Sequence, residues 1–196
     1  MSDQTKEPPR GKPATRRTLL SRRDGLTVEE RRAGSQAIAD RVHGTIHAFA
    51  PGQVIALYSA KGSEVDPLHI DDDARAHGLI VVYPRIAENR ALAFHAVNRG
   101  DLVPARFGLR EPRPDAHTVD LARIAAFIVP GLAFDREGGR MGWGMGHYDA
   151  TFAAAAREAL RIGLAFDCQI VERVPREPHD QMLHMIVTEV ATYSVA

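Results

Sequence analysis

Six short segments rich in apolar residues, separated by helical or loop segments, constrain the fold of this chain more than any other feature. Runs of five or six such residues are typical of strands buried on both faces of a sheet. Between the first two runs, Asp66 and Pro67 indicate the start of a helix and Gly78 its end. The runs are VIALY (54–58), LIVVY (79–83), LAFHAV (92–97), AAFIVP (125–130), IGLAF (162–166) and MIVTEV (185–190). We therefore predict a layered α/β domain whose mostly parallel sheet is flanked by helices.

Helical segments precede the first run and follow a glycine cluster. Leucines on either side of Gly25 predict one short N-terminal helix. Thr27 with Glu30 three residues later is a capping box, and it predicts a second helix ending near Pro51-Gly52. The apolar positions of that helix are Ile38, Val42, Ile46 and Phe49. The segment DATFAAAAREALR (149–161) is rich in helix-forming residues and predicts another helix.

Length and composition favour one compact domain in a reducing compartment. The chain has 196 residues and no internal repeat, so we expect a single domain over 12–196. The first residues are polar and rich in proline, which predicts a disordered lead over residues 1–11. Its formal net charge is zero, which argues against a nucleic-acid or membrane partner. A single cysteine, Cys168, excludes an internal disulfide and favours the cytoplasm. The basic surplus between Arg10 and Arg32 has two interpretations, a solvated helix face, which we favour, and an RNA-binding arm.

The segment GRMGWGMGHYD (139–149) is the main candidate for a binding site. Its loop is too long for a dinucleotide fingerprint, and it lacks the Gly-Lys-Ser/Thr of a Walker A loop. Glycines that lead into a helix, with Arg140 among them, suit a phosphate site; turn glycines in a surface loop are the alternative. Asp149 likewise has two interpretations, a helix N-cap and a ligand for Mg²⁺ beside bound phosphates.

The longer stretch VPGLAFDREGGRMGWGMGHYD (129–149) resembles the signature of the 5-formyltetrahydrofolate cyclo-ligase family. That signature reads approximately V-P-G-x-x-F-D-x-x-G-x-R-x-G-x-G-x-G-Y-Y-D, and nearly every fixed element stands at its spacing. Other segments are similar to the family's conserved pieces, namely KPATR (12–16), SEVDP (63–67), YPRI (83–86), GLREP (108–112) and PHDQMLHMIVTE (178–189).

The resemblance implies an ATP-dependent and Mg²⁺-dependent ligase that converts 5-formyltetrahydrofolate to 5,10-methenyltetrahydrofolate. We expect a monomer, although the sequence does not determine the oligomeric state. The resemblance also implies a catalytic role for Arg140, folate contacts from Glu64 and Tyr148, and metal ligation by Asp149 and Asp180. The residues that the resemblance assigns to ATP are Lys12, Arg16, Gly139, Arg140, Met141, Gly142, Trp143, Gly144, Met145, Gly146, His147 and Tyr148.

Each of these side chains also has an ordinary structural interpretation: surface charge for Lys12 and Arg16, a strand-end or loop acid for Glu64 and Asp180, a core aromatic for Tyr148. The chain departs from the family pattern at Met145, at His147, where tyrosine is usual, and at His184, where aspartate is frequent. These departures keep open a second hypothesis, a non-catalytic nucleotide- or folate-binding paralogue. Since Arg140, Glu64 and Asp149 are all present, we favour the enzyme.

Overall fold

The computed structural model of the protein describes the backbone of residues 12–87, 91–177 and 180–195, with side chains from Thr15 onward. Its helices are α1 (Lys12–Asp24), α2 (Val28–Ile46), α3 (Leu68–Ala76) and α4 (His147–Ala154). Its strands are β1 (Val54–Ala56), β2 (Ile80–Ile86), β3 (Leu92–Ala96), β4 (Val103–Pro104), β5 (Arg110–Glu111), β6 (Thr118–Val119), β7 (Ile124–Val129), β8 (Ala133–Asp135), β9 (Arg140–Met141), β10 (Leu160–Leu164), β11 (Ile170–Val171), β12 (Met185–Val187) and β13 (Thr192–Ser194). None of the described helices is long and apolar enough to cross a membrane.

The large sheet has eight strands in the order β13-β12-β10-β7-β1-β2-β3-β6. Strands β12, β10, β7, β1 and β2 run parallel through its middle. Strands β13, β3 and β6 pair antiparallel at its two edges. Each of the six apolar runs contributes a strand to this sheet. The predicted α/β fold with a mostly parallel sheet is thus confirmed.

Helices cover both faces of the sheet, because successive strand residues point to opposite sides. Ile55 of β1 packs in the same cluster as the apolar side chains of α2 and α3. Its neighbours Val54 and Ala56 pack on the other face with Phe152 of α4. Helix α1 packs elsewhere: its Leu19 lies against the small sheet β11-β8-β9. This packing brings the N-terminal helix to the loops that follow β7.

Two sequence-based boundaries change in the structure. The capping box of Thr27 and Glu30 starts α2 as predicted, but the helix ends at Ile46 rather than near Pro51, since the chain turns there to enter β1. Helix α4 ends at Ala154 rather than Arg161, because residues 160 and 161 pair with β7 instead. Sheet pairing overrides local helix propensity in that segment. The predicted lead over residues 1–11 lies outside the described residues.

Candidate active site

A cleft of about 510 Å³ lies at the carboxyl ends of β1, β2 and β7. Tyr58 follows β1, Ile86 ends β2 and Pro130 follows β7, and all three line it. Open α/β sheets bind ligands at this end, because the loops after parallel strands converge there. A loop over residues 138–146, here called the glycine loop, closes one side of the cleft.

The glycine loop is held against helix α1 by Arg16. Gly144 and Gly146 adopt positive φ angles of 93° and 70°. The Nε of Arg16 donates a hydrogen bond to the carbonyl of Gly142 at 3.1 Å. A Cβ on Gly144 would lie 2.8 Å from Nη2 of Arg16, so only glycine lets this guanidinium lie on the backbone. Two segments that the sequence assigns to ATP, far apart in the chain, therefore meet at the cleft.

Arg140 places an incompletely paired cation inside the cleft. Its side chain is 7% exposed, and Nη2 lies 3.8 Å from Oδ1 of Asp149. Among the described residues, its buried Nε has no hydrogen-bond partner. Burial lowers the pKa of Arg140, and the negative charge of Asp149 offsets this only in part. A buried guanidinium that lacks full pairing is suited to an anionic ligand, since removing a charge from water costs free energy until a partner compensates it.

Asp149 and Asp180 bring two carboxylates to the same cleft. The N-cap interpretation of Asp149 is wrong: Gly146 occupies the cap of α4, and Asp149 is the third helical residue. Its Oδ1 instead lies near Arg140 and accepts a long hydrogen bond, 3.4 Å, from the amide of Gln181. The charge of Asp180 also acts on Arg140. Mg²⁺ typically takes one or two carboxylates and completes its shell with phosphate oxygens and water, so this donor set fits it.

Glu64 lines the cleft beside Trp143 of the glycine loop and is almost fully buried. Its Oε2 accepts a hydrogen bond of 3.0 Å from the amide of Lys61, and the side chain of Trp143 also donates to it. Burial raises the pKa of Glu64, while these hydrogen bonds and the charge of Arg23 only partly counteract the effect. A carboxylate kept in this setting is suited to accept hydrogen bonds from a ligand.

Large apolar side chains surround the mouth of the cleft. Phe107, Trp143 and Met145 line it although they are 68%, 51% and 59% exposed. Phe107 also adopts a φ of 60°, a left-handed conformation that is uncommon for a bulky residue. Tyr148 lies deeper, with the guanidinium of Arg140 5.0 Å from the centre of its ring, and burial raises the pKa of its phenol. Exposed apolar groups around a concave site are typical of ligand-binding clefts.

One predicted ATP contact, Gly139, does not line the cleft, and for another, Lys12, the side chain is not among the described residues. Gly139 is buried, its amide donates to Oδ1 of Asp135 at 2.9 Å, and a Cβ there would collide with that carboxylate. The glycine therefore allows close packing beneath the loop. Lys12 begins α1, but its side chain lies outside the described residues. His184 does not line the cleft either, since its Nδ1 accepts a hydrogen bond from the amide of Arg161.

The sequence reasoning missed two buried charges that support the site. Arg23, 2% exposed, donates to Oγ of Ser63 at 2.9 Å and to the carbonyl of Gly131 at 3.1 Å. These hydrogen bonds connect α1 to the segment that carries Glu64 and to the loop after β7. Asp135 accepts hydrogen bonds from the base of the glycine loop and from the amide of Val174. Asp135 belongs to the matched signature, whereas Arg23 had no signal beyond its place in a basic segment.

Comparison with known proteins yields consistent matches. The sequence profile of the 5-formyltetrahydrofolate cyclo-ligase family matches residues 9–189. A 5-formyltetrahydrofolate cyclo-ligase of Mycolicibacterium smegmatis is 33% identical over 92% of this chain and 94% of its own length. One from Escherichia coli is 32% identical over 87% of this chain and 96% of its own. Among solved structures, the NMR structure of Aquifex aeolicus 5,10-methenyltetrahydrofolate synthetase superposes with a TM-score of 0.79 at 28% identity, covering 94% of this chain and 92% of that one.

Proposed function

The chain belongs to the 5-formyltetrahydrofolate cyclo-ligase family, and we propose that its cleft is the active site in which ATP and folate meet. The protein is an enzyme, a ligase that converts 5-formyltetrahydrofolate to 5,10-methenyltetrahydrofolate with ATP as co-substrate. A fold by itself does not specify a reaction, so the assignment of roles rests on individual residues.

The observation that carries the proposal is the pairing state of Arg140. Its guanidinium is buried in the cleft, one nitrogen is without a partner among the described residues, and its ion pair with Asp149 is long at 3.8 Å. A triphosphate would supply the missing negative charge. The start of α4 and the backbone amides of the glycine loop would add further donors, as helix N-termini do for phosphates.

The formyl oxygen is a poor leaving group, and its phosphorylation by ATP makes it a good one. The formyl oxygen attacks the γ-phosphorus of ATP, the bond from that phosphorus to the β,γ-bridging oxygen breaks, and ADP leaves. N10 then attacks the formyl carbon and closes the ring, after which the carbon–oxygen bond breaks, inorganic phosphate departs and the proton of N10 passes to the phosphate or to water. Phosphoryl transfer depends on positioning and charge neutralisation. Arg140 would balance charge on the transferred group, and Arg16 would hold the loop and face the nucleotide.

We assign Mg²⁺ to Asp149 and Asp180. Both carboxylates line the cleft on the side of Arg140, and their chemistry is that of an oxygen-ligand site. When bound, the ion would neutralise phosphate charge and orient the terminal phosphoryl group. Removing both carboxylates should therefore raise the Mg²⁺ concentration needed for half-maximal turnover, whereas the affinity for folate alone should change little.

The folate would occupy the side of the cleft that Glu64 and Tyr148 line. Glu64 offers carboxylate oxygens to the N–H groups of the pterin, and Trp143 holds that carboxylate in place. Phe107 and Met145 would cover the flat rings at the mouth. The phenol of Tyr148, whose ring centre is 5.0 Å from the guanidinium of Arg140, would lie between the two substrates.

Purified protein mixed with 5-formyltetrahydrofolate, ATP and Mg²⁺ tests this function directly. We expect the ultraviolet absorbance of the methenyl product to appear, and to require hydrolysable ATP; a non-hydrolysable analogue is the matched control. Absence of product while folate and ATP still bind would support the non-catalytic paralogue instead.

We further propose that the enzyme is a monomer with one domain over residues 12–196 and a cytoplasmic location. Light scattering coupled to size exclusion measures the oligomeric state. Limited proteolysis tests the single domain, since a packed domain resists cleavage.

A further inference from the structure

We propose that His43, His47 and Asp73 form a Zn²⁺ site that ties α2 to α3. His43 and His47 stand four residues apart and thus share one face of α2. Asp73 of α3 lies opposite them. Its Oδ2 is 3.0 Å from Nδ1 of His43, and its Oδ1 is 3.0 Å from Nε2 of His47. Among the described residues, this is the group of three histidine, cysteine or carboxylate side chains whose ligand atoms all lie within 4.8 Å of one another.

The distances suit a tetrahedral ion. Zinc bonds to nitrogen and oxygen of roughly 2.0–2.1 Å place neighbouring ligand atoms about 3.3–3.4 Å apart. Each oxygen of Asp73 is already close to that separation from one imidazole nitrogen, Oδ2 at 3.0 Å from Nδ1 of His43 and Oδ1 at 3.0 Å from Nε2 of His47. Both imidazoles are exposed, so rotation of the side chains can bring the two ring nitrogens and one carboxylate oxygen to that separation without moving the backbone.

The surroundings of the cluster orient its ligands. The ring of His77 stacks on His47 with a centroid separation of 4.1 Å and an angle of 24°. Nε2 of His77 in turn lies 3.0 Å from the carbonyl of Phe49, which fixes the stacking ring. Within the described residues, the ion-pair contacts of Asp73 are to the two imidazoles. Two imidazoles and one carboxylate favour Zn²⁺ over Mg²⁺, which takes oxygen ligands.

The site lies at the end of the sheet opposite the cleft. Helices α2 and α3 end just before β1 and β2, and the amide of Gly52 donates to the carbonyl of Gly78 at 2.8 Å beside the cluster. None of the three ligands lines the cleft. The three protein ligands leave one position for water, and the bound ion would link α2 and α3 where the chain enters the sheet. Its expected effect is therefore on stability rather than on turnover.

The test uses the full chain, treated with a chelator and kept free of nucleotide and Mg²⁺. Calorimetric titration with Zn²⁺ should give one site per chain, and the Tm should rise by about 5–10 °C at a free concentration near 100 times Kd. The variants His47→Gln and Asp73→Asn should each lose most of this shift. His69→Gln, which removes an exposed histidine of α3 outside the cluster, should keep it.

Circular dichroism and turnover of each variant without zinc establish that it is folded. An equal Tm shift in wild type and His47→Gln would overturn the site, as would a wild-type titration without stoichiometric binding. Co²⁺ supplies an independent readout: visible absorption bands of a tetrahedral ion should appear in wild type and His69→Gln and be absent in Asp73→Asn.

Discussion

The two sides of the cleft are built in different ways. One side, the continuous wall, comes from consecutive residues 140–149, with Arg16 of α1 lying on it. The other, the assembled wall, combines residues from separate loops and strand ends. These are Tyr58, Glu64, Pro84, Ile86, Phe107 and Glu111. The continuous wall carries cations, glycines and a helix start, whereas the assembled wall is mostly apolar around two buried carboxylates, Glu64 and Glu111.

This difference matches the two proposed ligands. A triphosphate has the same shape and charge wherever it binds, so a short run of amides and guanidinium groups can hold it. A folate has extended flat rings with a few polar edges, and covering such a surface needs side chains from several directions. The comparison therefore predicts that substitutions of Arg140 and Gly144 in the continuous wall act on ATP and that substitutions of Glu64 and Phe107 in the assembled wall act on folate. Met145 and Tyr148 are the exceptions, since they belong to the continuous wall and are assigned to folate as well.

The largest effect is expected from Arg140→Ala. We expect turnover to fall by roughly two to three orders of magnitude, as is typical when one electrostatic stabiliser is removed from a reacting centre. Arg136→Ala, an exposed arginine four residues earlier that does not line the cleft, is the matched control and should retain wild-type turnover. Steady-state rates from the absorbance assay decide the matter, and near-normal turnover of a folded Arg140→Ala protein would remove this residue from the site.

Gly144→Val should weaken ATP binding by roughly 100-fold. The branched side chain is strained at a φ of 93° and would displace the guanidinium of Arg16, whose charge-assisted hydrogen bond contributes about 1.5–3 kcal/mol. Gly52→Val imposes a similar strain at a φ of 87°, with open space around the new Cβ and no place in the cleft.

Calorimetric titration with ATP separates the two variants. Both should lose about 1–2 kcal/mol of unfolding free energy to backbone strain, whereas only Gly144→Val should lose ATP affinity. If Gly144→Val binds ATP as the control does, the glycine serves the turn alone and the continuous wall does not depend on Arg16.

Glu64→Gln should weaken folate binding by about one to two orders of magnitude while ATP affinity, measured without folate, stays close to wild type. The amide offers one acceptor and an unwanted donor where the carboxylate offers two acceptors, and a charge-assisted pair contributes about 1.5–3 kcal/mol.

The Tm of Glu64→Gln shows whether a loss of folate affinity comes from a structural role of Glu64. Burial raises the pKa of Glu64 in the folded protein, so the folded state binds more protons than the unfolded state between the two pKa values, and stability falls as pH rises through that window. The neutral amide avoids this cost, and the Tm of Glu64→Gln at neutral pH should be equal to or above that of wild type. A lower Tm together with equal losses of folate and ATP affinity would assign Glu64 a structural role.

The smallest effect is expected from Phe107→Gly. Glycine adopts a φ of 60° without strain, which stabilises the variant, whereas its greater loss of conformational entropy on folding opposes this gain. The net gain in unfolding free energy should be at most roughly 0.5–1 kcal/mol. Loss of a partly covered aromatic ring should weaken folate binding by about fivefold. Thermal unfolding and folate titration measure the two effects, and unchanged folate affinity would take Phe107 out of the assembled wall.

The continuous wall could be predicted almost completely, because its residues are neighbours in the chain. Arg140, Gly144 and Tyr148 were assigned from one signature, and they line the cleft as expected. Asp149 illustrates the limit: local rules make it a helix cap, yet Gly146 takes that position and the aspartate turns to Arg140. The charge of Arg140, which lies outside the first turn of α4 in the chain but close to Asp149 in space, decided the role of this side chain.

Glu64 was assigned from the family resemblance, but Phe107 and Arg23 carried no interpretable signal. Phe107 reaches the cleft only because its loop adopts a left-handed turn, and Arg23 becomes buried only because α1 packs on the loop after β7. Their roles depend on contacts between segments that lie far apart in the chain.

The sequence by itself determined the α/β layering, the order of the strand segments and the loop proposed for phosphate, since each depends on periodicity or on residues close together in the chain. Only the tertiary structure decided where α2 and α4 end, which carboxylate faces Arg140, and how His43 and His47 meet Asp73. The physical reason is the same in each case. Sheet pairing, burial and charge compensation act between residues that become neighbours only after folding, and they outweigh local propensities of a few tenths of a kcal/mol, roughly, per residue.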